Sequence, residues 1–127
     1  VHLKRINDNT GKIIIAQNND EFKFEINRFF IIEDKFGSIR GNHAHKKCLQ
    51  LLVCIHGSIK VILDDSVSKK SFILDDMEKG LLIPNMMWAE QRYIAPTNKL
   101  LVLCNHAFNE EDYIRDYREY LSLKKLK

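Results

Sequence analysis

Short apolar runs alternate along the chain with clusters of polar turn residues. Phe22, Phe24 and Ile26 alternate with charged side chains, which is the pattern of a strand with one buried face. The run over residues 49–55 is apolar apart from Gln50, and it predicts a buried strand that ends at the turn around Gly57. Strands that recur about every 8–12 residues are typical of an all-β sandwich or barrel.

Further strands are expected wherever these patterns recur. They are residues 2–16 (a strand pair around the turn Asn7–Gly11), 28–33, 58–63, 70–74, 80–84 and 100–104. We expect turns at residues 18–20, 35–38, 64–66, 75–76 and 95–98, where turn-forming side chains cluster. The strand over 58–63 is predicted to return along 49–55 as a hairpin.

The pattern changes near residue 109 and predicts one amphipathic helix over about residues 109–124. Asn109 can cap its start, and the acids at 110–112 would lie in the first turn, where the helix dipole favours negative charge. The residues expected on one apolar face are Tyr113, Ile114, Tyr117, Tyr120 and Leu121. We expect this face to pack on the barrel or on a second subunit.

The length of 127 residues fits one domain, with the barrel over about residues 1–108. The net charge of +3 is too weak to indicate nucleic-acid binding, but it suits an anionic small molecule. No apolar stretch is long enough to span a membrane, and no signal-peptide core is found near residue 1. Cys48, Cys54 and Cys104 form no Cys-x-x-Cys pair, so we interpret them as buried free thiols of a cytoplasmic protein.

His43 and His45 are the main candidates for chemistry. Side chains two positions apart in a strand lie on the same face, so both imidazoles are expected to enter one space. Imidazole titrates near neutral pH, which suits a general acid or base. A cation such as Arg40 or Lys46 would keep it neutral, although Arg40 reaches the face of His43 only if the strand bulges at Gly41. The alternative is a pair of histidines at the rim of the core, bonded to the backbone.

The layout around these histidines resembles the first motif of the cupin superfamily. Gly37, His43, His45 and Gly57 fall in register with it, and Gln50 stands where metal-binding cupins carry glutamate.

The second cupin motif, Pro-x-Gly-x-x-His, corresponds to residues 84–89, where Met86 replaces the glycine and Ala89 the histidine. Two of the four metal ligands are then missing, so we predict no metal site. We interpret His2, His56 and His106 as exposed or locally bonded side chains.

Residues 40–47, Arg-Gly-Asn-His-Ala-His-Lys-Lys, are similar to a narrower group, the dTDP-4-keto-6-deoxyglucose 3,4-ketoisomerase family. These are the WxcM-like sugar isomerases of the cupin superfamily. The similarity continues through residues 50–54, 57–58 and 61–65, Pro84 with Trp88, and Asp112–Arg115. It implies an all-β cupin-type barrel (jelly roll) with one C-terminal α-helix.

The resemblance also implies the activity. Such an enzyme moves the keto group of dTDP-4-keto-6-deoxyglucose from C4 to C3 through an enediol, without a metal or other cofactor. His43 would be the base, and His45 its partner or a second acid/base. The expected substrate-binding residues are Arg40, Lys46, Gln50, Phe29, Trp88 and Arg92. The family forms homodimers and supplies 3-amino-3,6-dideoxyhexoses for surface glycans such as the O-antigen of lipopolysaccharide.

This chain departs from the family pattern in three respects, which involve four residues. Phe29 and Phe30 stand where a tyrosine is common, so its hydroxyl would have to come from Tyr93 or another residue. Thr10 and Ala89 match neither pattern associated with a galacto or a gluco product, which leaves the stereochemistry at C4 open.

Three other functions stay open at this point. A cupin 3,5-epimerase would use the same base chemistry with a second acid on the other sugar face. A sugar-nucleotide-binding cupin without catalysis would bind dTDP-sugar without exchanging ring protons. A metal-dependent dioxygenase would contain stoichiometric metal.

Overall fold

The computed structural model describes residues 1–18 and 23–126, and these residues form three antiparallel sheets and one α-helix. The strands are β1 (Lys4–Asn7), β2 (Lys12–Ile15), β3 (Arg28–Lys35), β4 (Ile39–His45), β5 (Gln50–His56), β6 (Ile59–Asp64), β7 (Lys69–Leu74), β8 (Leu81–Ile83), β9 (Trp88–Tyr93), β10 (Thr97–Cys104) and β11 (Tyr113–Ile114). The helix α1 spans Tyr117–Lys125, and a 3-10 turn covers Glu110–Asp112. The predicted all-β fold with one C-terminal helix is confirmed for the described residues.

Two of the sheets face each other around the main core. One has the strand order β3-β10-β5-β8 and the other β11-β4-β9-β6-β7. Buried side chains from both sheets, including Leu52, Val61 and Val102, fill the space between them. Because side chains alternate along a strand, every second residue of β5, β6, β9 and β10 contributes to this core.

The outer face of the four-stranded sheet carries a second apolar cluster. Leu51, Val53 and Leu103 pack there against Leu3 and Phe24 from the N-terminal segment. The two-stranded β1–β2 hairpin, predicted from its turn cluster, is confirmed. The segment before it is attached to the rest of the chain by the backbone hydrogen bond from the N–H of Leu3 to the carbonyl of Glu78, 2.7 Å long.

The strand predicted over residues 22–26 is wrong for the part that the structure describes, because residues 23–27 are in no strand. Phe24 is nevertheless buried, and its backbone N–H bonds to the side chain of Asn18 instead of a neighbouring strand. Strand pairing begins only beyond Asn27, whose N–H bonds to the carbonyl of Cys104. Phe22 and most of the turn predicted at 18–20 lie outside the described residues.

The predicted hairpin between residues 49–55 and 58–63 is also wrong. Both strands exist, but β5 pairs with β10 and β8, whereas β6 pairs with β7 and β9. Gly57 has a φ of +90°, and the chain crosses there from one sheet to the other. In a jelly roll, strands that are consecutive in the chain can lie in different sheets. The prediction failed because it assumed that β5 and β6, being consecutive, would pair.

The C-terminal helix begins at Tyr117 and not near residue 109. Asn109 caps only the short 3-10 turn, and Tyr113 and Ile114 then leave the helical path to pair with β4. Asp116 caps α1, since its carboxylate accepts the backbone N–H groups of Arg118 and Glu119. The predicted packing of this helix on the barrel is confirmed for Tyr120, which is buried in a cluster with Ala44, Met86 and Ile114.

Candidate active site

Two imidazoles lie side by side at the end of β4. The ring centroids of His43 and His45 are 5.1 Å apart, and the ring planes are perpendicular. The expectation that both rings enter one space is therefore confirmed. His45 is buried, with 6% of its side chain exposed, and His43 is half-buried.

A β-bulge precedes His43, at Gly41, where the sequence left one open. Gly41 and Asn42 have φ values of +87° and +58°, and the register between β4 and β9 shifts between Gly41 and His43. A Cβ atom on Gly41 would lie 2.9 Å from the carbonyl oxygen of Ala89. Only glycine fits this position, and the extra residue brings His43 directly opposite Ala89.

Asp112 is a third member of the site, which the sequence analysis had placed in the first turn of a helix. Its Oδ2 lies 2.9 Å from Nδ1 of His45, and its Oδ1 accepts the backbone N–H of Lys47 at 2.8 Å. The pairing of β11 with β4 brings it there. In the sequence, Asp112 belongs to the family-like motif Asp112–Arg115, but this motif does not indicate that Asp112 bonds to His45.

The hydrogen bonds of both rings indicate their tautomers. Because a carboxylate only accepts, Nδ1 of His45 carries the proton and donates it to Asp112, so Nε2 is free. This Nε2 is buried and has no hydrogen-bond partner among the described residues. Nδ1 of His43 lies 3.2 Å from the carbonyl oxygen of Gly41, which likewise leaves Nε2 of His43 without a proton.

Burial keeps both imidazoles neutral. It lowers the pKa of His43 to about 4, and the neighbouring His45 adds to this effect. Burial also lowers the pKa of His45, although the hydrogen bond to Asp112 acts in the opposite direction. For Asp112, burial alone would raise the pKa, but the hydrogen bonds from His45 and Lys47 outweigh it and the pKa is lowered. The site thus contains two neutral bases and one carboxylate at neutral pH.

Tyr113 closes the site from β11. Its ring centroid is 4.3 Å from that of His45 and 5.1 Å from that of His43. A guanidinium N–H of Arg28 points at the Tyr113 hydroxyl at 3.4 Å. Tyr93, considered as a replacement for the missing family tyrosine, is buried elsewhere and donates its hydroxyl to Gln91 at 2.7 Å. The hydroxyl beside the histidines is that of Tyr113, which the sequence analysis did not identify.

An ion pair lies at the rim of the site. Arg115 bonds to Glu110 with contacts of 2.6 and 3.0 Å, and its guanidinium lies 4.4 Å from the centre of the Tyr113 ring. Both charges act on His43: Arg115 disfavours its protonation and Glu110 favours it. The cation near His43 is therefore Arg115 rather than Arg40, because Arg40 bonds to Asp34 at 2.7 Å.

A polar cluster lies on the inner side of the site. The amide of buried Gln50 and the guanidinium of Arg28 both point at the sulfur of Cys104 at 3.5 Å. The thiol of Cys48 also donates to this sulfur, and these contacts lower the pKa of Cys104. The three cysteines are free and buried, as predicted.

Trp88 and Arg92 lie on the outer face of β9, away from the histidines. Neighbouring residues of a strand point to opposite faces, so Ala89 faces His43 whereas Trp88 packs against Tyr120 under α1. Arg92 pairs with Glu90 at 2.7 Å. Both line a cleft of about 460 Å³ that also includes Asn42, Arg115 and Tyr117.

Phe29 and Lys46, the remaining expected substrate-binding residues, are exposed, and so is Thr10, which departs from the family pattern. Phe29 is 65% exposed on the face of β3 opposite Phe30, whose ring lies 5.5 Å from the Arg28 guanidinium. Lys46 is exposed, and its backbone N–H bonds to the carbonyl of Asp112. Thr10 is exposed in the turn between β1 and β2, where its hydroxyl bonds to Asp8.

The cupin metal ligands are not reproduced. Ala89 offers no donor beside His43, and the amide N–H of Gln50 is directed at Cys104. His56 and His106 are exposed and bonded to Thr97 and Asn105, as expected. The residues at the cupin metal position therefore do not fit a metal.

Comparison with known proteins places this geometry in a group of enzymes. The family model described as FdtA: WxcM-like, C-terminal matches residues 1–125. A curated relative, TDP-4-oxo-6-deoxy-alpha-D-glucose-3,4-oxoisomerase of Aneurinibacillus thermoaerophilus, is 35% identical over 121 residues, which are 94% of this chain and 87% of that protein.

Solved structures with a similar fold indicate the same family. A 3,4-ketoisomerase from Helicobacter canadensis is 40% identical, with a TM-score of 0.92 over 98% of this chain and 94% of that one. A sugar 3,4-ketoisomerase from Thermoanaerobacterium thermosaccharolyticum, solved in complex with TDP, is 32% identical, with a TM-score of 0.93 over 99% of this chain and 93% of that one. A histidine-to-asparagine variant of the latter was solved in complex with TDP-4-keto-6-deoxyglucose.

Proposed function

From the premise that the chain belongs to the FdtA/WxcM-like family, we propose that it is a dTDP-sugar 3,4-ketoisomerase. It moves the keto group of dTDP-4-keto-6-deoxyglucose from C4 to C3. The names of the relatives support an isomerase. Within the chain, the observation that supports it most is the pair of neutral imidazoles 5.1 Å apart, each with an unprotonated Nε2.

The reaction needs one base and one place for negative charge. A proton at C3 is acidic because it lies next to the C4 ketone, and Nε2 of His43 accepts it. The electrons of the C3–H bond form the C3=C4 double bond, and the charge moves to the oxygen at C4. Nε2 of His45 takes the proton of the C3 hydroxyl and gives it to the oxygen at C4, which becomes a hydroxyl. As the C3 ketone forms, C4 receives a proton from the His43 imidazolium. The pKa of His43, about 4, favours this return of the proton.

His45 is the second acid/base, and Asp112 is its positioning residue. The hydrogen bond to Asp112 fixes the Nδ1–H tautomer, so the buried Nε2 can exchange a proton with a sugar oxygen. Burial of a free Nε2 supports a role toward a ligand, since buried polar atoms are normally paired.

The diphosphate needs cations at the rim. Arg115 is the best placed of them, because it lies over Tyr113 next to His43. The roles of Arg40, Lys46, Gln50, Phe29, Trp88 and Arg92 in substrate binding stay predictions from the resemblance.

Several wider properties are part of the same proposal. The 127 residues form a single cupin-like domain, and two copies form a homodimer. The product feeds the synthesis of 3-amino-3,6-dideoxyhexoses for surface glycans such as the lipopolysaccharide O-antigen. The three buried free cysteines support a reducing compartment such as the cytoplasm. Among the described residues, the structure contains no helix long and apolar enough to cross a membrane.

The test is a proton NMR time course with dTDP-4-keto-6-deoxyglucose in deuterated buffer. Loss of the C3 proton signal and appearance of a 3-keto sugar are expected. Binding without ring-proton exchange would contradict the proposal and favour a non-catalytic cupin. Deuterium at C5 would instead identify a 3,5-epimerase.

Two further measurements refine the result. His43→Asn should abolish turnover while the circular dichroism spectrum stays unchanged, and unchanged turnover would remove His43 as the base. A run in ordinary water keeps a proton at C4 of the product, and its coupling distinguishes a gluco from a galacto sugar.

A further inference from the structure

Three potential metal ligands converge behind the catalytic face of His45. One donor atom from each of His45, Cys48 and Asp112 lies within 4.8 Å of the other two. Nδ1 of His45 and Oδ2 of Asp112 are already 2.9 Å apart, a distance close to one edge of a tetrahedron around a small cation. Cys48 and Asp112 are not part of the cupin position, which would use both histidines and the residues at 50 and 89.

The cluster is buried but open to solvent on one side. Cys48 is 1% exposed, whereas the side chain of Asp112 is 13% exposed. Asp112 also lines a surface cleft of about 450 Å³, together with Lys47, His106 and Phe108. Asp112 is the donor of the cluster that lines this cleft, so an ion entering from solvent would meet it first, and a water molecule from the cleft would supply a fourth ligand.

Backbone groups already orient two of the donors. The N–H of His106 bonds to the sulfur of Cys48, and the N–H of Lys47 bonds to Oδ1 of Asp112. Oδ2 of Asp112 accepts the backbone N–H of Cys48 and Nδ1–H of His45, and an ion would replace the bond to His45. Such outer hydrogen bonds are typical of protein metal sites, because they fix the ligands before the ion arrives.

We propose that His45, Cys48 and Asp112 bind a thiophilic divalent cation such as Zn²⁺, and that this ion inhibits the enzyme. One thiolate, one imidazole and one carboxylate with an open fourth position match the ligand preferences of zinc. On binding, the thiol of Cys48 releases its proton to solvent. The ring proton of His45 moves from Nδ1 to Nε2, so Nε2 can no longer accept a proton.

Binding is tested with Co²⁺ alone, added to the full chain without sugar nucleotide. A saturable thiolate-to-cobalt charge-transfer band at one equivalent is expected, and Zn²⁺ should displace the cobalt and remove the band. Cys48→Ser should lose the band, whereas Cys54→Ser should keep it, because Cys54 is equally buried but outside the cluster. No saturable band in the unchanged chain, or a band that persists in Cys48→Ser, overturns the proposal.

A second variant guards against misfolding of Cys48→Ser. Asp112→Asn keeps all cysteines, and its dissociation constant for Co²⁺ should rise at least about tenfold; an unchanged constant would also overturn the proposal.

The inhibition rests on the proposed isomerase and is measured separately. Zn²⁺ should slow turnover in Cys54→Ser but not in Cys48→Ser, and equal inhibition of both would contradict it. The cobalt result stands whether or not the protein proves to be an isomerase.

Discussion

Asp112 accepts a hydrogen bond from Nδ1 of His45 at 2.9 Å, although 67 positions of sequence separate the two residues. The hydrogen bond fixes the proton of His45 on Nδ1, so the buried Nε2 has none. It also links the C-terminal segment to the strand that carries both histidines.

Asp112→Asn should reduce kcat by about 100-fold or more, because an amide can donate to Nδ1 and stabilise the wrong tautomer of His45. KM should change less, since the side chain of Asp112 is bonded to His45 and to the backbone. Turnover followed by NMR gives both constants. Glu111→Gln is the matched control, because Glu111 is an exposed acid in the same turn and should keep normal activity. A kcat for Asp112→Asn equal to that of the control would remove Asp112 as a positioning residue.

The pH dependence of kcat/KM should show an acid limb near pH 4 and not near 6.5, the ordinary value for histidine. The pKa of His43 is lowered to about 4, so the ring stays unprotonated and able to act as a base down to that pH. A pH–rate profile of the free enzyme measures the limb, and NMR titration of the His43 ring assigns it. A limb near 6.5 would show that burial does not control this residue.

The same shift links stability to pH. Between pH 6.5 and about 4 the unfolded chain binds a proton at His43 before the folded chain does. The free energy of unfolding should therefore fall as the pH is lowered through this range. Urea unfolding at several pH values tests this, and in His43→Asn the dependence should be weaker.

Gly41→Ala should destabilise the fold by about 1–3 kcal/mol and displace His43. Alanine is strained at a φ of +87°, and its Cβ would lie 2.9 Å from the carbonyl oxygen of Ala89. Gly11→Ala is the control, since a Cβ atom at that position meets no atom within 4 Å. It should change the unfolding free energy by less than about 0.5 kcal/mol. Equal unfolding midpoints for the two variants would show that the bulge does not need glycine.

Arg115→Ala should raise KM for the nucleotide sugar by about 10- to 150-fold, while Arg92→Ala should leave it nearly unchanged. Both arginines line one cleft and each pairs with a glutamate, but Arg115 lies over the Tyr113 ring next to His43, whereas Arg92 lies on the outer face of β9. A charge-assisted hydrogen bond to a phosphate is worth about 1.5–3 kcal/mol, which sets the expected size. A larger effect at Arg92 would restore the substrate-binding role expected from the resemblance.

The family, the all-β class and the two histidines were predictable from the sequence, because each depends on local patterns. His43 and His45 share a face by alternation alone, whereas the sequence allowed a bulge at Gly41 without requiring one. The matches to relatives over nearly the whole chain confirm the family.

The features that could not be predicted from the sequence depend on pairing between distant segments. The hairpin expected between β5 and β6 failed because the jelly roll sends these strands to different sheets. Asp112 and Tyr113 looked like the start of a helix, since acids after Asn109 favour one. Backbone pairing of β11 with β4 and the bonds of Asp112 compete with that helix, and these long-range contacts were not visible in a local pattern.

The position of β11 in the chain has a consequence for protein synthesis. Ten strands of the described part of the chain are translated before β11, so a chain that is cut short before Tyr113 can assemble both sheets while β4 has an open edge. An unpaired edge of this kind invites pairing with other chains. A polypeptide that ends before Asp112 would carry His43 and His45, lack the carboxylate that orients His45, and be prone to aggregate.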